Sequence, residues 1–319
     1  MPADLSSFLN KIISGDACQV LRKIPDESID CVVTSPPYFR LRDYGVSGQI
    51  GLERSFPEYI DNLLKVFDEV KRVLKPSGTC WIVLGDTYAS SHHQRAKLDL
   101  RSKAVLANPR NNQARRSLGI AAKCLLQLPN RFAIAMTERG WILRNEIIWH
   151  KPNAIPVSVR DRFTVDFEKV FFFVKSPTYY FDQDSLREPF KSSSVARMRR
   201  TVSNKHKNLK VPGQTVQGMH RARAHGSGEV RLNPLGRNRR CVWSIPTQPF
   251  KEAHFAVYPP GLINKLIIAG CPKNGIVLDP FIGSGTTALE ARHLDRRFIG
   301  VELNQAYVIM TQRRIDQRA

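Results

Sequence analysis

Thr34-Ser35-Pro36-Pro37-Tyr38 sets a hydroxyl, two rigid prolines and an aromatic ring within five consecutive positions. The prolines fix φ and remove two backbone donors, leaving carbonyls aimed outward from a stiff loop. A nucleobase amine is a poor nucleophile because its lone pair is delocalised into the ring. A carbonyl and the Ser35 hydroxyl, accepting its two N–H bonds, would draw the nitrogen toward sp³ and free that pair. Tyr38 suits stacking on a base extruded from a duplex, as chemistry on a base edge requires. Taken alone, the same residues also suit a rigid proline turn beside a core tyrosine.

A second constellation lies near the other end of the chain. Val277-Leu278-Asp279-Pro280-Phe281-Ile282-Gly283-Ser284-Gly285-Thr286-Thr287 reads as a strand, a glycine-bearing turn and a helix start. Glycines let backbone approach a ligand closely, and a helix N-terminus offers N–H groups to a carboxylate or phosphate. A lone G-x-G is common in such turns. Here a further strand follows, ending in Gly300-Val301-Glu302, and an acid about 20 residues on suits the two hydroxyls of a ribose. Glu302 by itself would equally be a surface carboxylate. The spacing is neither the G-x-G-x-x-G of dinucleotide enzymes nor the G-x-x-x-x-G-K-[ST] of phosphate loops.

These residues need a scaffold that brings distant loops to one edge. The run 30–34 ends abruptly at the double proline and reads as a buried parallel strand opening into a loop. A helical period spans 56–74, stopped by Lys75-Pro76-Ser77-Gly78, with a strand at 79–84. A helix at 128–139 precedes strands at 146–149 and 169–174; a helix at 261–269, a strand at 275–278, a helix at 286–293 and a strand at 297–301 follow. Alternating elements of these lengths predict a doubly wound, mostly parallel α/β sheet with helices on both faces.

The chain has 319 residues and ordinary hydrophobic (42%) and charged (24%) content, enough for one large domain with an insertion. Its charge is not ordinary: 49 basic residues against 28 acidic give +21. Two stretches, 90–116 at +6 and 187–240 at +12, hold nearly all of that excess. Both mix Arg with Ser, Asn, Gln, Gly and His, types that contact phosphates and base edges, although solvated polar segments would look similar. A polyanionic partner is therefore expected. The six cysteines form no C-x-x-C pair and no metal-ligand spacing, so reduced intracellular thiols and no metal are expected. Neither a signal peptide nor a membrane span is expected, which points to the cytoplasm.

Thr34-Ser35-Pro36-Pro37-Tyr38, the 279–287 loop, and Trp149-His150-Lys151-Pro152-Asn153 with Arg160-Asp161-Arg162 resemble the DNA amino-methyltransferases of restriction–modification systems. Catalytic motif first, basic target-recognition region next and cofactor loop last is similar to their β group. The resemblance implies a circularly permuted methyltransferase fold built from 1–186 and 251–319, with target recognition in 187–250 and an additional basic loop at 90–116. It implies S-adenosyl-L-methionine as cofactor. Asp279, Gly283 and Gly285 would hold its methionine part, with Thr34, Pro280, Phe281, Ser284 and Thr286 around them. Glu302 would take the ribose, Asp16 and Ala17 of Gly15-Asp16-Ala17 the adenine pocket, and Phe255 and Pro259 would pack against the cofactor.

In this family a serine at position 35 usually accompanies cytosine N4 methylation and an aspartate adenine N6. The resemblance thus implies a site-specific enzyme on double-stranded DNA, whose flipped cytosine attacks the sulfonium methyl in line. Catalysis falls to Ser35, Pro36, Pro37 and Tyr38. Cytosine C5 chemistry is disfavoured because no Pro-Cys dipeptide occurs. Adenine N6 methylation is the nearest alternative, an RNA or protein substrate a more distant one, and a non-catalytic DNA-binding relative another. A nucleoid-associated location, a cognate restriction endonuclease and a homodimer, common in the β group, are compatible; the residues decide none of them.

Overall fold

The computed structural model describes residues 4–89, 120–199, 232–248 and 258–317. They form two compact units, 1–182 with 241–319, and 183–240. The first contains strands β1 (Lys11–Ser14), β2 (Ile29–Thr34), β3 (Leu74–Leu84), β4 (Ile142–His150), β5 (Phe167–Val174), β6 (Val242–Ser244), β7 (Ile276–Asp279) and β8 (Arg297–Glu302). Its helices are α1 (Ala17–Leu21), α2 (Phe56–Val73) and α3 (Leu128–Glu138), and further along the chain α5 (Pro260–Gly270), α6 (Thr286–His293) and α7 (Gln305–Asp316). Helix α4 (Ser192–Arg199) belongs to the second unit.

The strands make one sheet in the order β1-β8-β7-β2-β3-β5-β4-β6. Only β5 runs against its neighbours among the described strands. The expected mostly parallel α/β sheet is therefore present, with one reversed strand. From β7 the chain winds through α6 to β8 on one side, and from β2 through α2 to β3 on the other. The strand order reverses between β7 and β2, where open α/β sheets place their ligands.

Both sheet faces are buried, which explains the continuous apolar runs. Val32, Cys80, Ile82, Leu84, Phe171 and Phe173 face one core with α1, α2 and α3. The alternate residues face the other way, where Trp81 and Phe172 stack with centroids 3.9 Å apart. Gly270, at the end of α5, packs so tightly on that face that an added Cβ would lie 2.3 Å from Thr79 Oγ1 and Trp81 Nε1.

Helix α2 starts as its sequence directs. The Ser55 hydroxyl accepts the Glu58 N–H (3.3 Å), Glu58 answers the Arg54 N–H (3.2 Å), and Tyr59, Ile60, Leu63, Phe67 and Val70 bury one face. Lys75-Pro76-Ser77-Gly78 does not separate helix from strand as expected. It is a bulge within β3, because Ile29 pairs with Leu74 and Cys31 already pairs with Thr79.

In the second unit, Glu188 exchanges backbone hydrogen bonds with Arg237 and pairs its carboxylate with Arg237 (2.8 Å) and Arg239 (3.6 Å). Gly236, at φ +104°, sits where a Cβ would strike the Glu188 carbonyl. This unit closes at Arg240, and Val242–Ser244 joins the main sheet beside β4.

Candidate active site

The loops leaving the carboxyl ends of β1, β8, β7 and β2 converge on one cleft. Asp16 and Ala17 come from the first turn, Glu302 from the end of β8, Pro280, Phe281, Gly283 and Ser284 from the turn after β7, and Ser35, Pro36, Pro37 and Tyr38 from the turn after β2. All of these are residues that the sequence marks for a site, and the fold brings them to one cleft.

Thr34, Asp279, Gly285, Thr286 and Pro259 lie behind that lining rather than on it. Asp279 is fully buried and accepts four hydrogen bonds: from Thr34 Oγ1 (2.6 Å), the Phe281 N–H (3.0 Å), Thr287 Oγ1 (2.7 Å) and the Tyr258 hydroxyl (2.8 Å). Burial raises the Asp279 carboxyl above its ordinary value, and these four donors pull it back down. The carboxylate therefore acts as a clamp that ties the end of β2 to the glycine turn. Gly285, at φ +81°, opens α6 in the left-handed region, where a Cβ would lie 2.4 Å from Thr311 Cγ2.

Glu302 has a different role. One oxygen accepts the Gly283 N–H (3.0 Å) and the other the Asn304 N–H (2.8 Å), fixing the carboxylate at the cleft wall. Burial raises this carboxyl too, against the pull of the same N–H groups. The cleft is further lined by Tyr44 and Tyr307, which meet edge to face at 6.2 Å. The Tyr44 loop is braced by Gln49, which accepts the Tyr44 N–H (2.7 Å) and donates to the Arg42 carbonyl (3.1 Å).

The Ser35–Tyr38 loop is held from behind. The Tyr59 hydroxyl donates to the Pro37 carbonyl (2.8 Å), and the buried Arg40 guanidinium spans the carbonyls of Glu53 and Arg54. The Tyr38 ring lies against Gly85, just past β3, where a Cβ would come within 2.7 Å of Cε2. The Tyr38 hydroxyl donates to Glu168 Oε2 (2.6 Å), and burial with that carboxylate pushes the phenol well above its ordinary value. Tyr38 is thus a neutral ring and a proton donor.

Sequence reasoning missed Tyr258 and Glu168. It chose Phe255 in His254-Phe255-Ala256-Val257-Tyr258-Pro259; Phe255 lies outside the described residues, whereas Tyr258 lines the cleft and donates to Asp279. Tyr258 directly precedes Pro259, the signal that could have singled it out. Glu168 carries no local signal, since only the β4–β5 hairpin brings it to Tyr38.

A stiff serine–proline–tyrosine loop and a glycine turn, joined at a strand-order reversal, define an α/β group-transfer site. Among solved structures, PvuII DNA methyltransferase (cytosine-N4-specific) shares this fold, with a TM-score of 0.61 at 20% identity, covering 94% of this chain and 84% of that one. The Type II methyltransferase M.XycI of Xanthomonas campestris pv. cyanopsidis is 38% identical over 304 residues, 95% of this chain and 87% of its own. M.SmaI of Serratia marcescens is 37% identical over 308 residues, 97% and 91% respectively. The family of N6/N4 DNA methylases matches residues 29–313. The chain belongs to that family, and is a DNA methyltransferase of the type II restriction–modification class.

Proposed function

We propose that the protein is a site-specific methyltransferase that uses S-adenosyl-L-methionine to methylate the N4 amine of cytosine in duplex DNA. The observation that carries this reading is the Thr34–Asp279 hydrogen bond, which sets the amine-activating loop and the glycine turn side by side on one cleft. The cleft suits that cofactor: a fixed carboxylate, Glu302, for ribose hydroxyls; the Gly283 turn for close approach; and aromatic walls from Phe281 and Tyr258. Asp16 and Ala17 are assigned to its adenine, and Asp279 to shaping the turn. When bound, the cofactor supplies an electrophilic methyl group.

The chain's residues present the amine. Tyr38 offers its face to a flipped base. The Ser35 hydroxyl accepts one amine N–H, and the Pro36 carbonyl the other, since the Pro37 carbonyl already accepts from Tyr59. With both N–H bonds committed, the nitrogen lone pair is directed at the methyl carbon. Support for cytosine over adenine comes from Ser35, where the family's adenine enzymes usually carry aspartate. The +12 stretch at 187–240 is assigned to DNA, by its charge.

DNA treated with the enzyme and methyl-labelled cofactor, then digested to nucleosides, tests the reading. Label in N4-methylcytosine is expected; label in N6-methyladenine would overturn the cytosine assignment.

A further inference from the structure

A serine hydroxyl both donates and accepts, so Ser35 alone cannot distinguish a base amine from a base carbonyl. Its surroundings remove that ambiguity. The Tyr38 hydroxyl has one proton and gives it to Glu168 Oε2 at 2.6 Å. At the 3.3 Å contact between Ser35 Oγ and the Tyr38 hydroxyl, Ser35 must therefore be the donor. Its only proton is spent there, and lone pairs alone remain for the base. The direction is set at the far end, where Lys151 Nζ lies 2.5 Å from Glu168 Oε1 and 4.5 Å from the Trp149 ring centroid. A carboxylate beside an ammonium has no proton to send back along the chain.

We propose that Glu168, held by Lys151, makes Ser35 an acceptor-only group, so that the site receives a base amine and refuses a carbonyl. Glu168 lies off the cleft and acts through Tyr38, as a positioning residue that determines specificity. The inference rests on the proposed placement of the target base against Ser35. It is indifferent to which amine is methylated, because cytosine N4 and adenine N6 are both donors.

Glu168→Gln tests it. Lys151 needs an acceptor, so the amide turns its oxygen to Lys151 and its NH₂ to Tyr38. Tyr38 must then donate to Ser35, and the polarity of the chain reverses. The readout is competition between DNA bearing the methylated base and DNA in which a carbonyl replaces its amine: uracil for cytosine, or hypoxanthine for adenine. In E168Q the preference for the amine is expected to fall about tenfold, with a similar loss of turnover. Glu168→Asp, which keeps the carboxylate, is expected to hold the preference even where turnover drops. Cofactor binding by calorimetry verifies that each variant folds. A wild-type preference in E168Q, or equal loss in E168D and E168Q, overturns the proposal. Label in adenine overturns only the cytosine reading, and the comparison then proceeds with hypoxanthine.

Discussion

Burying a carboxylate is costly unless its lone pairs are filled, and at Asp279 three hydroxyls and a backbone N–H fill them. Even so, desolvation wins and the folded carboxyl sits above its ordinary 3.8. A raised carboxyl contributes most to stability below pH 3.8, and that contribution is lost as pH rises through the higher folded value. Asp279→Asn does not titrate. The wild type's stability relative to D279N is therefore expected to decline from about pH 4 upward, read by urea unfolding at several pH values; a flat or rising difference would refute the balance described. D279N should also weaken cofactor binding, since an amide cannot accept from all four donors. The cysteines give a simpler test. Cys124 and Cys241 are exposed, Cys31, Cys80 and Cys271 are buried, and partial burial pushes Cys18 up to about 11. A thiol reagent at neutral pH is expected to modify Cys124 and Cys241 promptly and the buried three only on unfolding. At this scale the sequence disclosed part of the cleft lining, without Tyr44, Tyr258 and Tyr307, and part of its support, Thr34 and Asp279. Ser35 and Glu302 announce themselves by type and position, whereas Glu168 acts through Tyr38, a partner that only the fold brings near.

Elements were legible where both faces are buried, because an apolar run such as Val170–Phe171–Phe172–Phe173–Val174 needs no context. Direction was not, since burial looks the same on a parallel and a reversed strand; hence β5 gave no warning of its antiparallel course. The first half of β4 was missed because Arg144, Asn145 and Glu146 are exposed, and β1 because its four residues lie at the sheet edge. Helix α7 escaped because only Thr311 and Ile315 are buried. The end of β3 carries a functional consequence. Gly85 has an ordinary backbone, but an added methyl would meet the Tyr38 ring at 2.7 Å. Gly85→Ala is therefore expected to displace Tyr38 and lower turnover about tenfold or more, with cofactor affinity unchanged. Single-turnover methylation beside a cofactor titration separates the two. Wild-type turnover in G85A would show that the ring position is not critical.

For the whole molecule the dominant sequence signal is charge, +21 in total with +12 in 187–240. Counterion release then makes log affinity for DNA fall linearly with log salt, by about 0.9 per neutralised phosphate in duplex. Replacing the Lys and Arg of 200–231 with Gln is expected to flatten that slope while leaving cofactor binding intact, as measured by fluorescence anisotropy from 50 to 200 mM salt, a range typical of such titrations. An unchanged slope would assign the phosphate contacts elsewhere. The sheet order also bears on how the protein comes into being. The bond that unites the two halves of the cleft joins residues 245 positions apart, and β2 cannot gain its partner β7 until Ile276–Asp279 has been made. During synthesis at about 5–20 residues per second, the serine–proline loop is thus made early and waits many seconds for the strand that completes it. A nascent or prematurely terminated chain carries the activating residues without the means to use them. The capacity to mark DNA is acquired only once both halves of the cleft have been made.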